Sequence, residues 1–285
     1  MEQTVSKWLL VNGGVPQGTR VGPIAFLFMV NDLLEGRRRV KFVDDTVSWE
    51  CCHVNGSDSG LQDVANICAE WSENNKMQLN VDKTKEMIVS FSRKHPAADI
   101  PPLKIKGRVL ERIGCAKVLG VMISSDLSWT AHVDYICPTA NRRLYFVCML
   151  KRAGASRADL LNFYKASVRS TVEYASAVWH TGMTAEQADR IESVQRRALR
   201  IIEPGLSYQE ALASTGLEML HSRRERMAQA FFEAILSPDH RLHYLLPDPR
   251  PVSYGLRSRN DYAVPSLRTQ RARRTLINYG LEHWQ

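Results

Sequence analysis

The sequence predicts an α+β protein, with a small antiparallel sheet carrying helices on one face and a helical region after it. Three observations predict it. A hairpin-like run, an amphipathic stretch and an alternating run follow one another before residue 95. Helix-start signals recur after Trp129, where Ser156 and Asp159, Thr184 and Gln187, and Ser207 and Glu210 each have capping-box spacing. The composition, 44% apolar and 24% charged over 285 residues, is that of a globular chain long enough to bury a core.

Residues 11–23, VNGGVPQGTRVGP, form a glycine and proline loop. Pro23 suits the first turn of a helix through IAFLFMVNDLLEG, and Gly36 stops it. Residues 37–42 and 46–52 read as hairpin arms with Asp44 and Asp45 at the tip. From Leu61, Val64, Ile67, Cys68 and Trp71 recur at helical spacing, and KEMIVSFS at 85–92 returns as a strand. LKIKGRVL at 103–110 and KVLGVMIS at 117–124 are expected to pair as a ribbon. Beyond them, Leu160, Phe163, Val168, Val172, Ala175 and Val178, then Ala188, Ile191, Val194, Ala198 and Ile201, trace core-facing helical stripes. Pro138 interrupts a helical stretch, at a cost of several kcal/mol unless a kink is wanted. Residues 237–270 are rich in Pro, Ser and Arg and read as loosely folded.

No run resembles a signal peptide, and IAFLFMV at 24–30 is too short to span a bilayer, so a soluble intracellular protein is expected, nuclear or cytoplasmic. The six cysteines show no CxxC pair, as expected of reduced thiols. Cys51, Cys52 and His53 do not make a zinc site, because consecutive strand residues face opposite ways and no second ligand pair follows. The net charge of +8 is unevenly spread. Residues 1–95 hold 11 Lys and Arg against 12 Asp and Glu, leaving 27 against 18 for residues 96–285. Arg142, Arg143, Lys151, Arg152, Arg196, Arg197 and Arg200 fall opposite the apolar stripes. They are either solvated faces or a surface for a polyanion.

Asp44 and Asp45 also admit two readings. Asp is a favoured turn residue. Paired carboxylates on a rigid hairpin also suit hard cations such as Mg²⁺ in phosphoryl transfer.

The order of motifs narrows the choice. GVPQGTRVGPIAFLFMVNDL, beginning at Gly14, followed by FVDD, resembles motifs B and C of the reverse transcriptases of LINE-type, non-LTR retrotransposons. WSENNKMQLNVDKTKEMIVSFSRK is similar to motif D, and KVLGVMISSDLSWTAHV to the primer grip and the start of the thumb. LKRAGASRADLLNFYKASVRSTVEYASAVWH and IESVQRRALRII are similar to the helical segments that follow. The resemblance runs from about residue 10 to about residue 220.

It implies a partial right-hand palm over residues 1–125, a thumb-like helical region over 126–236 and a loosely structured basic tail over 237–285. It also implies an RNA-directed DNA polymerase using Mg²⁺, an RNA template, a DNA primer or target and deoxynucleotides. Asp44 and Asp45 would ligate metal and carry catalysis. Gly14, Pro16, Gln17, Gly18 and Phe42 would lie against nucleotide and template. Lys83 would stand near the pyrophosphate or be an exposed turn lysine, and the seven cations would track nucleic-acid backbone. The family's third metal-binding aspartate belongs well before the glycine loop, and the chain starts only a dozen residues before that loop. The 285 residues alone are therefore expected to have negligible polymerase activity. The alternative is a non-catalytic, nucleic-acid-binding remnant of a decayed element. Val43 and Arg20 depart from the residues usual in the family.

Overall fold

The computed structural model describes residues 18–52, 59–90, 100–249 and 262–284. The chain divides into two compact units, residues 1–114 and 115–285.

In the first unit, α1 (Val21–Val30) leads through turns to a hairpin of β1 (Arg39–Phe42) and β2 (Asp45–Ser48). The helix is shorter than the apolar run suggested, because the backbone turns at Leu34 and Gly36, both at positive φ. α2 (Leu61–Asn74) packs Ala65 against Ile105 and Leu110. Its buried face centres on Ala65 and Ser72, so Val64, Ile67, Cys68 and Trp71 are only half-buried.

The expected ribbon does not form as one pairing. Residues 103–110 fold on themselves as β4 (Lys104–Ile105) and β5 (Arg108–Val109). In the second unit, β7 (Cys115–Val118) pairs with β8 (Val121–Ser124) in the same way. The reason is local. Lys106 and Gly107, then Leu119 and Gly120, have positive φ at both turn positions, the geometry that reverses a right-twisted strand in two residues. Among the described residues, the strand expected at 85–92 is seen as β3 (Lys85–Glu86), which pairs in parallel with β6 (Glu111–Arg112) and does not join the hairpin. The described strands thus pair only in twos and not as the one small antiparallel sheet expected.

The second unit is helical. α3 (Thr130–Arg152) runs on through Pro138 without breaking. It presents Val133, Ile136, Ala140, Leu144 and Val147 to the core at three- and four-residue spacing. α4 (Arg157–Phe163) starts at Ser156, whose hydroxyl accepts from the Asp159 N–H. The single helical stripe expected after it is broken by a π-helical turn at Tyr164–Arg169. A π turn carries an extra residue, so the buried phase slips and Tyr164, rather than Phe163, is fully enclosed. α5 (Ser170–Glu173) and α6 (Ser176–Trp179) are separated by Ala175 at φ 52°, and Val178 is left exposed.

α7 (Ala185–Ile202) and α8 (Tyr208–Thr215) begin at complete capping boxes, Thr184 with Gln187 and Ser207 with Glu210, as their spacing predicts. Gln187 bonds to Thr130, Arg190 to Asp134 and Arg197 to Asn141, an advancing register that makes α3 and α7 parallel. α9 (Leu220–Ile235) follows. Residues read as tail form α10 (Gln270–Arg273) and α11 (Leu276–His283), anchored where the Thr181 hydroxyl donates to the Arg274 carbonyl at 2.7 Å.

His132 lies inside this unit, 1% exposed, with Nδ1 accepting from the Met122 N–H. Burial lowers its pKa to about 4. The folded ring resists protonation that the unfolded ring accepts near 6.5, so stability present above that pH is lost as pH falls toward 4. The loss is on the order of 3 kcal/mol. Urea melts between pH 7 and pH 4 should show that slope, reduced in His132→Gln.

A candidate metal-binding hairpin and a cationic helical face

The hairpin is docked by its charged side. Lys41 Nζ donates to the carbonyls of Val30, Asn31 and Leu33 at 2.8, 2.7 and 3.2 Å, capping the end of α1 with a cation where the helix dipole is negative. Desolvation there, then the neighbouring Arg39, lowers the Lys41 pKa.

Cross-strand partners share a face, so Phe42 with Asp45 and Val40 with Val47 lie together on the opposite side. That side is open, with Phe42 60% exposed and Val40 51% exposed. The turn itself is Val43 and Asp44. Val43 sits at φ 56°, an outlier for a β-branched residue and a place where backbone strain is held.

Asp44 and Asp45 are exposed, and neither side chain makes a hydrogen bond or ion pair among the described residues. Their oxygens are therefore available to a hard cation, which needs only one or two carboxylates besides waters and phosphate oxygens. Among the described residues no group of three or more His, Cys, Asp or Glu side chains converges as a metal cage. Exposed carboxylates are the donor type that Mg²⁺ accepts.

Gly14, Pro16 and Gln17 lie outside the described residues, as does His53 of the discarded zinc grouping. Gly18 has φ 83°, and a Cβ placed there meets nothing within 4 Å. Its need for glycine comes from backbone conformation. Lys83 is exposed in a turn whose backbone N–H bonds to the Asn80 side chain, and no hydrogen bond or ion pair joins it to the aspartates.

The seven cations divide by what they touch. Arg143 donates to the Ser167 carbonyl and Thr171 hydroxyl, both at 2.6 Å, tying α3 to the π turn. Lys151 caps the Ile201 carbonyl near the end of α7, and Arg196 pairs with Asp189. Those three serve the fold. Arg142 and Arg197 make only single side-chain hydrogen bonds, to Thr139 and Asn141, and Arg152 and Arg200 point into solvent. A solvated guanidinium on a rigid helix can meet a phosphate with little ordering cost. Arg196 and Asp189 lie two turns apart on α7, whereas the Ser167 and Ile201 carbonyls that engage Arg143 and Lys151 are brought there by the tertiary packing, which sequence spacing could not show.

Among the described residues, no helix is long and apolar enough to cross a membrane. No family model matches the chain, and no solved structure matches it. Curated relatives do. The chain is 25% identical over 203 residues to the "Probable RNA-directed DNA polymerase from transposon X-element" of Drosophila melanogaster, covering 67% of this chain and 22% of that protein. It is 23% identical over 206 residues to the RNA-directed DNA polymerase from mobile element jockey of the same fly, again 67% of this chain and 22% of the relative. The Retrovirus-related Pol polyprotein from type-1 retrotransposable element R1 of Bradysia coprophila is 22% identical over 244 residues, 80% of this chain and 23% of the relative. The chain therefore spans less than a quarter of the length of these proteins. The resemblance carried by the motif order is borne out by them, and the chain is a relative of the RNA-directed DNA polymerases of non-LTR retrotransposons.

Proposed function

We propose that this chain is the part of an RNA-directed DNA polymerase that carries the hairpin with the paired aspartates and the helices that follow it in sequence, palm-like over residues 1–125 and thumb-like over 126–236. The single observation that supports this best is the exposed, unengaged pair Asp44 and Asp45 on a rigid hairpin, in a chain whose relatives are named as such polymerases.

In this reading Asp44 and Asp45 hold Mg²⁺, which when bound would activate a primer 3′ hydroxyl and neutralise charge on the departing pyrophosphate. The chain's own contribution is placement. Lys41 and Arg39 fix the hairpin to α1, so the carboxylates stand on a braced element. Phe42 and Gly18, with Gly14, Pro16 and Gln17, would border the incoming nucleotide, and Lys83 would assist the leaving group. Arg142, Arg152, Arg197 and Arg200 would hold template and primer backbone, with Arg143, Lys151 and Arg196 bracing the helices that carry them. The substrates are deoxynucleotides on an RNA template with a DNA primer. The 285 residues alone are proposed to be inactive.

A chimera tests this, with the matching segment of the X-element polymerase exchanged for this chain. It should extend a DNA primer on RNA only with Mg²⁺, and lose at least about a hundredfold, roughly 2.7 kcal/mol, on Asp44→Asn with Asp45→Asn. Undiminished extension by that double variant would overturn the catalytic assignment and leave the cationic helices as a nucleic-acid-binding surface alone.

A further inference from the structure

A cavity of about 430 Å³ opens within the helical unit, where α3 and α7 begin side by side. Two guanidinium side chains line it, Arg271 of α10 and Arg274 just after it, and no acidic residue of the described structure does. Arg271 makes no hydrogen bond or ion pair among the described residues. Arg274 makes one long contact, 3.4 Å to the Met183 carbonyl. Asp126 accepts the Ser128 N–H at 2.9 Å, the bond that does most to hold its pKa down, and the Arg271 charge acts on it in the same direction to a smaller extent.

Arg271 and Arg274 are both exposed, so their solvated guanidiniums can exchange water for phosphate oxygens at little cost. Further donors converge on the same space. Ser128 and Thr130 bring hydroxyls into the lining, and α3 opens with no side-chain cap on its first turn, so its N–H groups add positive potential. The rest of the wall is mixed, with Gln187 and Gln270 among its polar residues and an apolar portion that includes Trp129, Leu127 and Val178. Trp129 stands against Gly182, where a Cβ would fall 2.3 Å from the indole nitrogen, so the absence of a side chain at Gly182 is what lets the indole seat there. Leu127 continues that wall.

Paired guanidiniums with hydroxyls suit a tetrahedral phosphate, and an indole beside an apolar wall suits a flat base. The volume is in the range of small-ligand sites. We propose that this cavity binds a nucleoside phosphate, the phosphate on Arg271 and Arg274 and the base against Trp129 and Leu127. The site is built from the helical unit alone, so it stands or falls independently of the hairpin's catalytic role.

Calorimetric titration of the full chain with AMP, adenosine and inorganic phosphate tests it. Omitting divalent cations and working in the Asp44→Asn, Asp45→Asn background keeps the hairpin out of the measurement. AMP should bind at least about tenfold more tightly than adenosine or phosphate. Arg271→Gln should weaken AMP about tenfold while leaving adenosine binding and the melting temperature unchanged, since no described contact depends on Arg271. Arg274→Gln should add to the loss. No AMP binding at millimolar concentration, equal binding of AMP and inorganic phosphate, or undiminished affinity in Arg271→Gln would each overturn the proposal.

Discussion

Replacing Glu192 with alanine should cost the helical unit about 4 kcal/mol, the scale on which breaking a buried charged network destabilises a protein. Glu192 is 4% exposed on α7 and serves three donors at once. It accepts the N–H groups of Leu220 and His221 at 3.0 and 3.1 Å, two orphan donors at the start of α9, and it accepts the Tyr208 hydroxyl. Burial, and then this carboxylate, raise the Tyr208 pKa. Alanine would leave all three donors without their acceptor in a site closed to water, each at about 1–3 kcal/mol before relaxation. Glu192→Gln keeps one acceptor oxygen and should lose roughly half as much. Chemical denaturation followed by circular dichroism reads the difference. A loss under about 1 kcal/mol for Glu192→Ala would mean that the network is not a unit.

Arg224→Met should move stability the other way, by about 3 kcal/mol upward. Arg224 is fully buried, and none of its three guanidinium nitrogens has a hydrogen-bond partner among the described residues. Desolvation lowers its pKa to about 10, with Glu192 and Glu173 opposing, so it remains charged at neutral pH. The favourable contact is with Trp179, whose ring centroid is 5.7 Å from the guanidinium carbon. Such a contact returns about 2 kcal/mol at best, whereas enclosing the ion costs several. Removing the charge strands no partner, because Glu192 keeps its three donors and Glu173 keeps Arg223 at 2.7 Å. Methionine matches the stem and fills the space. In the Glu192→Ala background the gain should be larger, since the guanidinium there has lost an opposing charge. A destabilised Arg224→Met protein would show that the guanidinium is hydrogen-bonded in solution.

How far each feature could be read in advance depended on how local its cause is. The capping boxes at Thr184 and Ser207 were legible because donor and acceptor lie three residues apart. The 119–120 and 106–107 turns were in principle legible from glycine at the second position, but two apolar runs of matching length suggested one ribbon in place of two hairpins. The slip at Tyr164 was not legible at all, since a π turn alters the period on which a helical stripe is counted. At the site, Asp44 and Asp45 stood out as a pair in a recognisable motif order. Arg271 and Arg274 did not, because nothing in TQRARRT indicates that Thr181 will pin the segment beside the start of α3.

The amino-acid sequence by itself determined the element types, the hairpin with its two carboxylates and the kinship with mobile-element polymerases, all carried by short-range pattern and motif order. Only the tertiary structure decided which arginines are spent on the fold and which face solvent, where Glu192 and Arg224 meet, and that a basic cavity opens at the head of two parallel helices. Those outcomes depend on residues tens of positions apart being brought within a few ångströms, and packing alone selects the partners.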